Sequence, residues 1–489
     1  MDAVGGGIGS LLEAGLGNLA AYLAAHVLLC LVPAFFIAGA MTALIPKEAV
    51  TRFLGRNAAR TVSYPAAAAA GSLLAVCSCT IVPLFAGIYR KGAGLGPAIT
   101  FLFFAPAANI LALVYTGGVL GADLAAARFL LSLAFGIGIG LTMAMLFRAD
   151  DAVRDQSADT LFAGDEPGRM SRPALAFLAA WVALLLAGTL KFAFLADVIL
   201  DLHLPLGDTR PWQAALDHLV PHDAARGEEG ISVQGVVLIA LLALIAACAW
   251  KGLEGIHEGF SAWTRASLAL IAATLLVASL AVRTGASGLD VGVTGRFLAV
   301  AACLGLIGVI ARRGLPREEL QAWLWESWRF MKQIFPLLVA GVFVVGILRV
   351  LIRPEWIQYL AGANTVGGNL AGVAFGVFMY FPTLVEVPIA KMFLELGMHR
   401  GPLLAYLMAD PELSLQSILI IAAIIGRRMT FAYVCLVALF SAVAGLAYGA
   451  WIDGTSPFGI ALAVAAFIAL LALLVTRIGS AHSATPQGT

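Results

Sequence analysis

The stretch Val76-Cys-Ser-Cys-Thr-Ile-Val-Pro83 sets two thiols two residues apart inside a long apolar run. On an α-helix, residues i and i+2 point about 200° apart, so both sulfurs could not grip one small centre. In extended backbone the same spacing puts them on one face. An unwound segment at Cys77-Ser-Cys-Thr80 would therefore aim Cys77 and Cys79 into one cavity, with the hydroxyls of Ser78 and Thr80 beside them. Soft thiolates select thiophilic metals, and trivalent arsenic and antimony share that softness. A two-thiolate site leaves the third valence of such a metalloid for an organic group. Two other readings stand beside this one. The cysteines could be small residues packing in a tight bend, or a pair cycling between dithiol and disulfide in a membrane oxidoreductase, for which Cys-x-x-Cys is the commoner spacing. A closed structural zinc site needs four ligands, and no second pair lies near. Cys30, Cys248, Cys303 and Cys435 stand singly in apolar runs and read as packing residues.

Carboxylates supply a second chemistry. Glu386 lies in Thr383-Leu-Val-Glu-Val-Pro388, and Asp410 and Glu412 flank Pro411. Ionisable groups at membrane depth are expensive and usually line a substrate or proton route, so these three are candidates for proton coupling. The alternative for Asp410 and Glu412 is capping of exposed helix amides. Thr383 and Asn109 are candidate polar partners of a bound solute, and Asn109 and Asn369 could satisfy broken backbone. His26 reads equally as a packing histidine or a proton carrier. Lys391 and Arg400 read as snorkelling cations. His203, His218 and His222, with Asp201, Asp217 and Asp223, read as a solvated loop in preference to a metal site.

The elements that hold these groups must lie in a bilayer. The chain is 61% hydrophobic and 12% charged, where soluble domains carry about 25% charged residues. Apolar runs of about 20 residues, long enough to span, recur along it. A net charge of +1 argues against a nucleic-acid partner. No basic residue precedes Lys47, which predicts a retained first span with its N-terminus outside.

An internal repeat organises the runs. Pro83, Gly92, Gly96, Pro97 and Pro106 recur 305 positions on, at Pro388, Gly397, Gly401, Pro402 and Pro411. Upstream, Pro33 and Pro336 are each expected to open a helix. Reading residues 62–90 and 366–396 as re-entrant hairpins, with tips at Cys77–Thr80 and Phe381–Thr383, places most lysines and arginines on the cytoplasmic side, as the positive-inside rule prefers. It also gives the copies opposite topology, an arrangement common in secondary transporters. The expected fold is an all-α polytopic membrane protein with eleven crossings and two re-entrant hairpins. Its segments are an N-terminal stretch (1–17), a first repeat (18–147), a solvated cytoplasmic linker (148–172), inserted helices with an external loop near 197–230 (173–311), a cytoplasmic segment (312–329), a second, inverted repeat (330–452) and a last helix with a cytoplasmic tail (453–489).

The blocks Val76–Ala98, Phe104–Asn109 and Phe381–Pro402 resemble the predicted-permease family that contains the organoarsenical efflux permeases. The resemblance covers the two repeats. It implies export of trivalent arsenicals, methylated or aromatic ones above all, from a bacterial cytoplasm across the inner membrane, with Cys77 and Cys79 as the metalloid-binding thiols. Partners on this reading are the metalloid, protons and lipid; the oligomeric state stays open, a homodimer being one option. No Gly-x-x-x-x-Gly-Lys-Ser/Thr motif is present, so ATP coupling within the chain is not expected, and no cofactor is expected. A channel or structural protein, with the prolines serving only as kinks, is the remaining alternative.

Overall fold

Runs of Ala, Leu, Val and Gly in lipid fold as helices because hydrocarbon offers the backbone no other hydrogen-bond partner. The computed structural model describes residues 8–25, 27–56, 58–73, 78–161, 171–190, 193–220, 230–351, 354–378 and 386–483. Six unbroken helices among them are long and apolar enough to cross a membrane, and eight spans result when each bent pair is taken as one. Eleven crossings were expected; the other apolar helices among the described residues, such as Ala262–Ala278 and Leu415–Ile425, are shorter than the spanning ones. The chain forms two compact units, residues 1–46 with 168–350 and residues 47–167 with 351–489.

The first unit contains the bent pair Gly9–Ala24 and Leu28–Leu44, at 52°, and the helices Arg172–Thr189, Val233–Leu253, Ala262–Ala278, Gly295–Arg313 and Arg317–Leu351. An aromatic core of Phe36, Phe177, Trp181 and Trp323 joins them. The Phe36 and Trp181 rings stack with centroids 4.6 Å apart, and the Trp323 indole N–H donates to the Phe36 carbonyl at 2.9 Å. An apolar cavity of about 650 Å³ lies beside Phe35, Trp250, Trp328 and Lys332; neither a thiol nor a carboxylate lines it, so the candidate chemistry lies in the other unit.

The fold is all-α as expected apart from one small sheet: β1 (Val198–Leu204), β2 (Ala281–Thr284) and β3 (Leu289–Thr294) are antiparallel in the order β1-β3-β2. His203 on β1 pairs with Asp290 on β3 at 2.6 Å, and among the described residues no three His, Cys, Asp or Glu side chains cluster as a metal site. His26, His222 and Asp223 lie outside the described residues. Pro33 sits in the first turn of Val32–Leu44 as expected, but Pro336 lies inside Arg317–Leu351 and opens nothing.

The second unit contains the repeated pattern. Lys47–Leu54, Arg60–Leu73, Ser78–Arg90, Leu95–Ala107, Ile110–Val119 and Ala122–Leu146 recur as Pro354–Ala361, Val366–Phe378, Glu386–Glu395, Arg400–Ala409, Leu415–Ile425 and Arg427–Ile452. Local geometry recurs at the same offset of 305. Gly92 and Gly397 both end their helices in the left-handed region, at φ 99° and 91°, where an L side chain is strained. The following strand-like contacts match too: the Gly94 amide donates to the Leu54 carbonyl at 2.7 Å, and the His399 amide to Ala361 at 2.9 Å. A Cβ added to Gly71 would meet the Ala105 backbone at 3.1 Å, and one added to Gly376 would meet the Asp410 backbone at 2.8 Å. In both copies glycine thus lets the first hairpin helix lie directly on the broken one.

The two long equivalent helices, Ala122–Leu146 and Arg427–Ile452, run antiparallel. Asp123 near the start of one accepts from the Tyr448 hydroxyl near the end of the other at 2.8 Å. Phe135 and Phe440 meet midway with centroids 5.1 Å apart, and Arg428 lies 5.7 Å from the centroid of Phe147 at the far end.

The segment after the first copy is not simply a solvated linker. Arg148–Leu161 is helical, Asp151 accepts from the Leu95 amide at 3.2 Å, and Arg154 donates to the Ala93 carbonyl at 2.6 Å and lies over the Tyr89 ring. It clamps the turn between the hairpin and the broken helix.

Candidate functional site

Each copy contains a helix broken near its middle, and the break is written in proline and a capping residue. Leu95–Ala107 ends just past Pro106, whose missing N–H weakens the ladder. Ile110–Val119 then restarts behind Asn109, whose side-chain oxygen accepts from the Ala112 amide at 2.8 Å. In the second copy the chain breaks at Asp410-Pro-Glu412 and restarts behind Ser414, whose hydroxyl accepts from the Ser417 amide at 3.3 Å. Asn109 and Ser414 occupy equivalent positions, 305 apart, so the expectation that Asn109 serves broken backbone is met by a cap. Asn369 does not serve a break; it bonds the Thr365 carbonyl at 2.8 Å within its own helix.

A break frees the carbonyl of the residue before it, and in the first copy a side chain fills that demand. Arg128, fully buried on Ala122–Leu146, donates from Nε to the Ala107 carbonyl at 2.8 Å. Its Nη1 donates to the Thr116 hydroxyl at 3.2 Å. Nη2 donates to Glu386 Oε1 at 2.6 Å, with both side chains at 0% exposure. Glu386 is the first residue of its helix. The guanidinium therefore ties the first copy's broken helix to the second copy's hairpin.

The second copy has no such cation. Glu412, 2% exposed, is the equivalent of Ala107, and its Oε2 accepts from the Tyr433 hydroxyl at 2.9 Å. Tyr433 is the equivalent of Arg128. The other oxygen of Glu412 accepts no hydrogen bond from a described residue. Asp410 is buried in the same turn.

Of the two expected tips, Cys77 and all of Phe381–Thr383 lie outside the described residues, as do the flanking residues 74–76, 379–380 and 384–385. Ser78 and Cys79 form the first turn of Ser78–Arg90, of which only the backbone is described there, and Thr80 is buried. This corrects the extended backbone expected through Ser78-Cys-Thr80, which is helical. Pro83 lies inside it, where its missing N–H leaves the Cys79 carbonyl without the usual helical donor. Ser78–Arg90 packs against Leu415–Ile425, the helix that follows Asp410 and Glu412; by the same pattern, Glu386–Glu395 packs against Ile110–Val119.

Sequence reading overlooked Arg128 and Tyr433. Arg128 carried a usable signal, being a lone cation in a 25-residue apolar helix; Tyr433 carried none beyond its register with Arg128. Arg400, read as a snorkelling cation, is instead paired with Asp123 at 3.0 Å and donates to the Leu120 carbonyl at 3.1 Å.

This geometry of matched breaks inside an apolar bundle has a counterpart among known sequences. Residues 14–450 match the family model described as predicted permease. The chain belongs to that family. The permease is also 32% identical over 432 residues to UPF0718 protein MJ0584 of Methanocaldococcus jannaschii, covering 88% of this chain and 93% of that protein. No solved structure matches it. The permease is a multi-pass membrane protein, and its family points to transport in preference to catalysis.

Proposed function

We propose that this permease exports trivalent arsenicals, organoarsenicals such as methylarsenite foremost, from the bacterial cytoplasm by proton antiport, with Cys77 and Cys79 binding the metalloid. The observation that carries the reading is a pairing of elements. The helix Ser78–Arg90, which contains Cys79, packs against the helix that follows Asp410 and Glu412. Soft ligands from one copy and carboxyls from the other thus belong to adjoining elements.

The antiparallel course of the equivalent helices supports inverted repeats of the kind that alternate access around a midplane site. On that reading the breaks at Ala108–Asn109 and Asp410–Ser414 are the points where the halves flex. Export by this route requires no nucleotide.

Uptake of methylarsenite and arsenite into everted membrane vesicles tests the proposal. Wild type accumulates methylarsenite and an uncoupler abolishes the accumulation, whereas Cys77→Ser/Cys79→Ser takes up neither compound above background. Equal uptake by wild type and the double variant would remove the thiols from the mechanism.

A further inference from the structure

We infer that the proton exchanged for cargo is carried by Glu412, held in place by Tyr433, and that Glu386 carries none because Arg128 clamps it. The inference rests on the antiport reading and deepens it by separating carboxyls that the sequence could not tell apart.

The argument is one of charge balance at equivalent positions. Protonating Glu386 would strand the guanidinium 2.6 Å away in a fully buried setting, and an uncompensated buried charge is costly. Protonating Glu412 strands nothing, since its hydrogen-bond donor is a neutral hydroxyl. The second oxygen of each carboxylate accepts from no described residue, so it is the charge of the partner, a guanidinium at Glu386 and a neutral hydroxyl at Glu412, that separates them. A group that gains and loses a proton in each cycle needs such a setting.

The neighbouring elements leave this balance undisturbed. Arg427–Ile452 presents Tyr433 and has two cations in its first turn, Arg427, which is exposed, and Arg428, whose guanidinium lies over the Phe147 ring. On Ala122–Leu146, Arg128 is engaged by Glu386 and Asp123 by Arg400. Glu386–Glu395 adds Lys391 and Glu395, both exposed. Val366–Phe378 and Leu95–Ala107 contain no titratable residue. Ser78–Arg90 brings Cys79 and Tyr89 and ends in Arg90; Asp410 shares the turn itself.

Purified permease in proteoliposomes separates the two steps. Gradient-driven accumulation of methylarsenite requires the exchanged proton; counterflow of methylarsenite without a pH gradient requires only that the loaded carrier reorient. Glu412→Gln is expected to retain counterflow and lose gradient-driven accumulation. Arg128→Gln/Glu386→Gln, which removes both charges of the clamp together, is expected to retain both activities. Tyr433→Phe, which deletes the donor to the carboxylate, is expected to move the pH midpoint of accumulation upward. Gradient-driven accumulation by Glu412→Gln would overturn the inference, as would its loss in Arg128→Gln/Glu386→Gln when counterflow persists. If the wild type shows counterflow but no gradient-driven accumulation, the antiport reading itself fails, and this inference with it.

Discussion

Position 128 and position 433 occupy the same place on equivalent helices, and they solve the same local problem with opposite chemistry. In the first copy a buried arginine satisfies the carbonyl before the break and neutralises a carboxylate from the other copy. In the second copy a tyrosine reaches the side chain of a buried glutamate that has no cation beside it. Equivalent backbone frameworks thus hold one carboxylate paired with a buried cation and one bonded to a neutral hydroxyl, the second oxygen of each accepting from no described residue. The first fixes geometry, and the second can change its protonation without disturbing a partner. A repeat with two identical sites could not divide the work in this way.

The comparison predicts unequal costs. Arg128→Leu leaves the Glu386 carboxylate buried and unpaired, and removing one partner of a buried pair typically costs about 3–5 kcal/mol. Tyr433→Phe leaves only a neutral-donor hydrogen bond unmade, which costs about 1–3 kcal/mol. Chemical unfolding in detergent should rank the two in that order; a larger loss for Tyr433→Phe would break the comparison. The caps should behave alike. Asn109→Ala and Ser414→Ala each remove a side-chain acceptor at the restart of a broken helix, and each should cost about 1 kcal/mol in the same assay. Unequal losses there would show that the two breaks are not mechanically equivalent.

How much of this was legible follows from what each residue type encodes. Proline and glycine encode backbone geometry directly, so their register at 305 anticipated matched helix ends, and Gly92 and Gly397 adopt nearly the same positive φ. Apolar run length announced a helical membrane protein. It could not show that Val198–Leu204 pairs with a strand some ninety residues later, because strand pairing is a long-range choice that the short segment Val-Ile-Leu-Asp-Leu-His-Leu does not declare. Two sulfurs on one face require extended backbone between Cys77 and Cys79, whereas Ser78 and Cys79 are helical. Glu386, Asp410 and Glu412 were legible as costly charges in apolar sequence. Their difference was not, since it depends on Arg128 and Tyr433, which are far away along the chain. Asp151 and Arg154 were hidden for the same reason: a charged helix reads as solvated until the carbonyls it clamps are seen.

The claim on which the account most depends is that the Cys77 and Cys79 thiols face water and take a trivalent arsenical. It can be measured with Cys30, Cys248, Cys303 and Cys435 replaced by alanine, so that only this pair remains. A membrane-impermeant maleimide applied to native vesicles should label the pair, and prior methylarsenite should protect both thiols in proportion to occupancy. Thiols that react only after denaturation, or that label equally with and without methylarsenite, would contradict it.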